Sequence, residues 1–281
     1  MKYKNGTGIL FSFLWATAAI AMKIGILSVD PLILAIIRFL ISGLIMIIIS
    51  TFLLKEKISK KNDWYQISIL GLLNITIYLG CLFTAIMTIS AGLLNLFIAI
   101  NPILITLFTS YFLKRKISTN EKLGFSICFI GLLIATIPTL KESKSNFFGI
   151  CLLILGMTSY SLGSVYYKKN ELKLSNLTIN GYQTFIGGLF LLPIAYYYKS
   201  QTILYDTNFY VSLVWLTVVI SIFANNIWFS LLKKDTVKAS KWLFLAPIFG
   251  YFLSFVLLGE EITIYAYLGI VLVLLGLKIN K

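Results

Sequence analysis

Shifted by 145 residues, the chain matches itself, and the repeating unit consists of apolar stretches long enough to cross a bilayer. Pro102-Ile103 falls on Pro247-Ile248, Leu113 on Leu258 and Ile117 on Ile262. Leu123-Gly124 falls on Leu268-Gly269, and Gly131-Leu132 on Gly276-Leu277. The same gapless offset carries Trp15 onto Tyr160, Lys23 onto Lys168 and Gly43 onto Gly188. One register held from Trp15 to Gly276 restricts the fold to two copies of one helical bundle. Internal duplication of a membrane bundle is how many secondary transporters are built.

With 59% hydrophobic and only 12% charged residues, the chain must have lipid as its solvent. Apolar runs of about 20 residues predict an all-α membrane protein of ten transmembrane helices. They fall at roughly 7–27, 32–54, 65–87, 91–113, 121–140, 147–167, 177–198, 209–232, 238–258 and 263–280. Five belong to a first repeat, 1–140, and five to a second, 147–281, joined near Lys141 to Asn146. Five is odd, so the second copy is expected to cross in the opposite sense. The halves then form inverted-topology repeats about an axis in the membrane plane, the basis of alternating access.

The formal net charge of +14 fits this plan rather than nucleic-acid binding. With the N-terminus inside, 19 of the 24 lysines and arginines fall in inside segments, which is the positive-inside pattern. Both termini are expected in the cytoplasm. The opening Lys2, Lys4, apolar run and Ala16-Thr17-Ala18 imitate a cleavable signal peptide. The counterpart of Trp15 to Lys23 at Tyr160 to Lys168 argues instead for a retained first span. Cys81, Cys128 and Cys151 lie inside spans and suggest neither a disulfide framework nor a metal site. Lys114-Arg115-Lys116, expected inside, is the repeat partner of the acidic Gly259-Glu260-Glu261, expected outside.

The segment from Phe13 and Trp15 to Lys23, followed by Pro31 and Ile37-Arg38-Phe39-Leu40, resembles the first half of the drug/metabolite transporter superfamily (EamA-type domains). Ile227-Trp228-Phe229 to Lys233-Lys234, then Ala239-Ser240, Ala246-Pro247 and Leu257-Leu258-Gly259-Glu260, resemble its second half. The resemblance covers nearly the whole chain. It departs at the end of span four, where Lys114-Arg115 stands in place of the usual Gly-Glu. It implies a ten-helix carrier of a bacterial inner membrane, often an exporter of amino acids or related metabolites. Drug export, export of other metabolites, uptake, or a non-transporting membrane enzyme remain alternatives, as do monomer and homodimer.

Polar and aromatic residues inside spans are the candidate substrate contacts, because an unsatisfied polar group is costly in hydrocarbon. Helical i, i+4, i+7 spacing groups Asn74, Tyr78 and Cys81 in span three, Tyr160, Ser164 and Tyr167 in span six, and Ser221, Asn225 and Trp228 in span eight. Asn95 and Asn101 join from span four, Ser240 and Trp242 from span nine, and Trp15 as the partner of Tyr160. A small-molecule cavity is one reading; interhelical hydrogen bonding and interfacial belts are the other. Pro102 and Pro247 are expected to kink their spans as hinges by leaving a carbonyl free. The paired glycines at 124, 131, 269 and 276 are expected to allow close helix packing.

Lys23 and Arg38 are the charges that fall clearly within spans. Lys23 is expected to snorkel. Arg38 offers a planar fork for a carboxylate or phosphate near the outer mouth, or a lock for that mouth. Asp30 is a candidate partner for either cation. With no histidine and no carboxylate clearly inside a span, facilitated diffusion or exchange is expected rather than tight proton antiport. The same absences, and the lack of a phosphate-binding loop, weigh against an enzyme, a cofactor or a metal site.

Overall fold

The computed structural model describes residues 5–85, 97–141, 146–170, 172–197, 203–258 and 263–280, all of whose regular secondary structure is helical. The described residues form ten helices: α1 (Asn5–Gly25), α2 (Pro31–Phe52), α3 (Lys61–Ala85), α4 (Asn101–Leu113) and α5 (Thr119–Lys141), then α6 (Phe147–Asn170), α7 (Asn176–Tyr197), α8 (Thr207–Lys234), α9 (residues 236–258) and α10 (Ile264–Ile279). Seven of them are long and apolar enough to cross a membrane by length and composition, while α4 and α10 are apolar but shorter. This is a multi-pass membrane protein.

Short polar residues start these helices by accepting from orphan backbone amides. Asp30 accepts from Leu32 N, Asp206 from Phe209 N, and Asp235 from Val237 N and Lys238 N. Ser118 and Glu121 form a reciprocal capping box at α5, with Ser118 N donating to Glu121 and Glu121 N to the Ser118 hydroxyl. Ser175 caps α7 and Thr263 caps α10. Asp30 and Ser175 stand 145 residues apart, as do Ser118 and Thr263, so the repeat holds at helix starts even where the residue has changed. Asp30 therefore spends a carboxylate oxygen on α2, and Arg38 finds a different partner.

The helix breaks are duplicated as well. α3 is π-helical over Leu72–Ile77 and α8 over Trp215–Ala224. Moved by 145, the first segment lies inside the second. A π segment adds a residue to the turn and rephases every side chain beyond it, so the expected i, i+4, i+7 faces of spans three and eight do not run straight. Ahead of α4, Ile100 N bonds Phe97 O at 3.0 Å in a tight turn. In α9, the corresponding 3-10 segment is Lys241–Phe244. The expectation of a mid-helix proline kink needs correction at Pro102. Pro102 is the second residue of α4 and Pro247 the third of Leu245–Leu258. In the first turn of α4 Pro102 misses no intrahelical bond, while Pro247 lies inside α9, three residues past its 3-10 segment.

The most extensive helix contacts join α5 to α10 and α2 to α7. Glycines set both. A Cβ at Gly131 would stand 2.8 Å from the Gly269 carbonyl oxygen, and one at Gly269 would stand 2.5 Å from that of Gly131. Gly124 and Gly276 face each other in the same reciprocal way, at 2.7 and 2.6 Å. The pairs run 124 with 276 and 131 with 269, so these repeat-equivalent helices lie antiparallel. Cys128 Sγ donates to Val273 O at 3.4 Å between the two pairs, and these residues are themselves 145 apart. Along α2 and α7, Gly43 meets Phe185, Gly188 meets Phe39, and Gly181 meets Met46, again antiparallel. Around this frame α1 packs on α8 and α9, and α6 packs on α3 and α4. Each first helix is thus held by the third and fourth helices of the other copy.

Candidate functional site

Four helices bring aromatic rings into one buried series. Tyr78 of α3 and Tyr160 of α6 have ring centroids 4.7 Å apart. Tyr160 lies nearly parallel to Trp228 of α8 at 6.2 Å, and Trp228 stacks on Phe11 of α1 at 5.0 Å. Trp15 continues from Phe11 at 5.5 Å and is half-buried. Ring pairs at these separations contribute about 0.5–1.5 kcal/mol each beyond the area they bury. Trp242 of α9 is buried with its indole over Gly8, where a Cβ would come within 2.1 Å of the ring. Tyr78, Tyr160, Trp228 and Trp242 are at most 6% exposed, so a solute reaches them only if the helices part.

Within this packed region the Tyr160 hydroxyl and the Trp242 indole N–H are buried with no hydrogen-bond partner among the described residues. Buried polar atoms are nearly always satisfied, and leaving one unpaired costs about 1–3 kcal/mol. The fold therefore presents one hydroxyl and one N–H donor beside a row of rings. Water or a polar group of a bound molecule would satisfy either one.

A polar network lies alongside on α2, α3, α7 and α8. Arg38 Nε donates to Ser221 Oγ at 2.8 Å, and its guanidinium lies 4.8 Å from the Phe39 ring. Asn180 Nδ2 donates to Ser221 O at 2.8 Å and accepts from the Thr184 hydroxyl at 3.2 Å. Asn74 Nδ2 donates to Gln183 Oε1 at 3.1 Å, while Asn74 Oδ1 is buried without a partner. Gln183 is the repeat counterpart of Arg38, so the two copies make mirrored contacts, one charged and one neutral.

The candidate residues thus divide. Tyr78, Tyr160, Trp228 and Trp242 are buried in one core with Trp15 packed against it, and Arg38 belongs to the polar network through Ser221 of α8. Asn101 is occupied in joining α4 to α6, accepting from Ser161 at 3.1 Å and donating to Met157 Sδ at 3.2 Å. The Ser164 hydroxyl returns to Tyr160 O within its own helix. Asn225 is half-buried where α8 resumes α-helical geometry. Asn95 lies outside the described residues. Phe11 is not among the sequence-based candidates, nor are Asn180 and Thr184 in the row they form with Gln183. The row carried a signal, three amide and hydroxyl groups at i, i+3, i+4 on an apolar helix; Phe11 in an apolar run carried none.

At the lysine-rich end, Arg115 takes the place where the resemblance expects glutamate. Its guanidinium grips Glu121 with both Nη atoms, at 3.1 and 2.7 Å, and reaches Asp235 at 3.0 Å. It ties the α4–α5 connection to the start of α9. Lys23 is exposed.

Comparison with known proteins agrees with this architecture. The family model described as "EamA-like transporter family" matches residues 5–137 and again 147–280. An uncharacterized transporter of Archaeoglobus fulgidus is 25% identical over 94% of this chain and 94% of its own. The uncharacterized transporter YvbV of Bacillus subtilis is 26% identical over 96% and 90%, and protein PecM of Dickeya dadantii 25% over 89% and 82%. A solved crystal structure superposes with a TM-score of 0.81 at 17% identity, covering 98% of this chain and 95% of that one, so the fold is shared. With both copies matched across almost its full length, the chain belongs to the EamA-like transporter family.

Proposed function

We propose that this protein is a ten-span carrier whose two five-helix repeats cross the membrane in opposite senses. It moves a small metabolite, an amino acid or close relative, outward across a bacterial inner membrane by alternating access. The observation that carries this reading is the reciprocal packing of α2 on α7 and α5 on α10. Repeat-equivalent helices meet antiparallel there, at glycines that each have a glycine counterpart in the other copy on the α5–α10 seam, as inverted copies must. Both termini are cytoplasmic on the lysine distribution. Residues 1–140 and 147–281 are the two copies, and the breaks before Pro102 and Pro247 are the hinges about which they rock.

The substrate site lies along the Tyr78, Tyr160, Trp228 and Trp15 rings, with the Tyr160 hydroxyl and Trp242 indole as polar contacts. The lack of a carboxylate clearly within a span supports exchange or facilitated diffusion. The test is counterflow in proteoliposomes loaded with a panel of unlabelled amino acids. Labelled substrate should accumulate transiently for at least one member. Flat traces across amino acids and other small metabolites would reject the carrier. Uphill movement driven by an imposed pH gradient alone would reject the coupling.

A further inference from the structure

Arg38 is a cation buried to 7% exposure, eight residues beyond Asp30, or about 12 Å along α2. A guanidinium carries five N–H donors and stays protonated. Among the described residues, Arg38 makes one hydrogen bond, from Nε to Ser221, and no described carboxylate pairs with it. The two Nη groups, whose paired edge suits a planar anion, are left over. Burying an uncompensated ion is strongly unfavourable, so the charge needs a reason beyond joining helices. The repeat supplies the control: Gln183 makes the mirrored helix contact, to Asn74, with a neutral amide. Joining α2 to α8 does not require a cation.

We infer that Arg38 is the anion subsite of the carrier, taking the carboxylate or phosphate of the transported metabolite on its free Nη edge while the Tyr78, Tyr160 and Trp228 rings of α3, α6 and α8 hold the apolar remainder. This rests on the carrier reading and narrows it to anionic metabolites bearing an apolar or ring portion. Two helices link the parts: Ser221, which accepts from Arg38, shares α8 with Trp228, and Asn74 of the polar network shares α3 with Tyr78, whose ring lies against Tyr160.

The test holds the ring constant and changes only the charged group. Purified full-length protein is titrated with phenylacetate, phenylacetamide and phenyl phosphate, following tryptophan fluorescence. At least one anion should bind roughly ten- to a hundredfold more tightly than the amide, the range expected of charge-assisted hydrogen bonds. Which anion wins tells carboxylate from phosphate. Arg38→Gln should abolish the preference and Arg38→Lys should keep part of it. Equal binding of all three, no binding of either anion, or an undiminished preference in Arg38→Gln overturns the inference. If Arg38→Gln does not fold, the anion-to-amide ratio of the wild type decides. Counterflow on the same protein separates the two readings. Anion-selective binding without transport keeps the subsite and removes the carrier; transport without anion preference does the reverse.

Discussion

Tyr160 carries a hydroxyl that the fold itself does not use, and a phenylalanine would fill the same space. Removing an unpartnered buried hydroxyl should leave stability unchanged or raise it by about 1 kcal/mol. If that hydroxyl meets the solute, Tyr160→Phe loses counterflow by roughly tenfold or more at undiminished thermal stability. Equal activity would assign Tyr160 to packing. Trp228→Ala, by contrast, removes the ring between Phe11 and Tyr160 and should cost about 3–5 kcal/mol, seen as a large fall in the midpoint of thermal unfolding. At this scale the sequence was legible where a residue type was out of place. Tyr160, Trp228 and Trp242 stand out in apolar helices, and all three are in the buried region. Phe11 could not stand out, because a phenylalanine among leucines looks like any core residue. The Arg38–Ser221 bond was equally hidden, since it joins residues 183 apart.

Glycine decides how closely the paired helices approach. A Cβ at Gly269 would meet backbone at 2.5 Å, whereas one at Gly250 would meet nothing within 4 Å among the described residues. Gly269→Leu should therefore cost more than about 3 kcal/mol through forced separation of α5 and α10, while Gly250→Ala should stabilise by about 0.5–1 kcal/mol through helix propensity; chemical denaturation of both variants checks the contrast. Lys114 ends α4 at φ 55°, where a side chain is disfavoured and the family's usual glycine is not. Lys114→Gly should stabilise by about 1 kcal/mol, readable as a raised unfolding midpoint. At the start of α7, burial pushes the Glu56 carboxyl up. Hydrogen bonds from Thr178 and Ser175, with Lys233 nearby, outweigh that and hold it below its ordinary value. A lowered folded value means the unfolded chain binds more protons as pH falls. The contribution is then full above the ordinary glutamate pKa of about 4.3 and is lost as pH drops through the folded value. Glu56→Gln should flatten that acid limb of the stability profile. Span positions and glycine contacts were legible from apolar length and repeat register. The π segments were not, because hydrophobic periodicity does not record one extra residue in a turn.

Two measurements address the molecule as a whole. In a background with Cys81, Cys128 and Cys151 replaced, Leu27→Cys and Tyr205→Cys should react with an impermeant maleimide in intact cells. Lys57→Cys and Lys116→Cys should react only after permeabilisation. A mixed pattern would reject the proposed orientation. The second concerns kinetics. An empty carrier must occlude the Arg38 charge alone, while a loaded one occludes a neutralised pair, so efflux should speed up tenfold or more with anionic solute on the far side. The penalty for an isolated buried ion exceeds the roughly 1.4 kcal/mol that such a factor requires. The interlocking of the copies has a further consequence. Since α5 lies on α10 and α2 on α7, the surfaces that close the bundle belong to neither half alone. A half made by itself is an orphan subunit with its glycine seams open to lipid, destined for clearance. Both halves made together from separate genes should rebuild the molecule, and neither should accumulate without the other. One continuous gene guarantees that the two arrive in equal number.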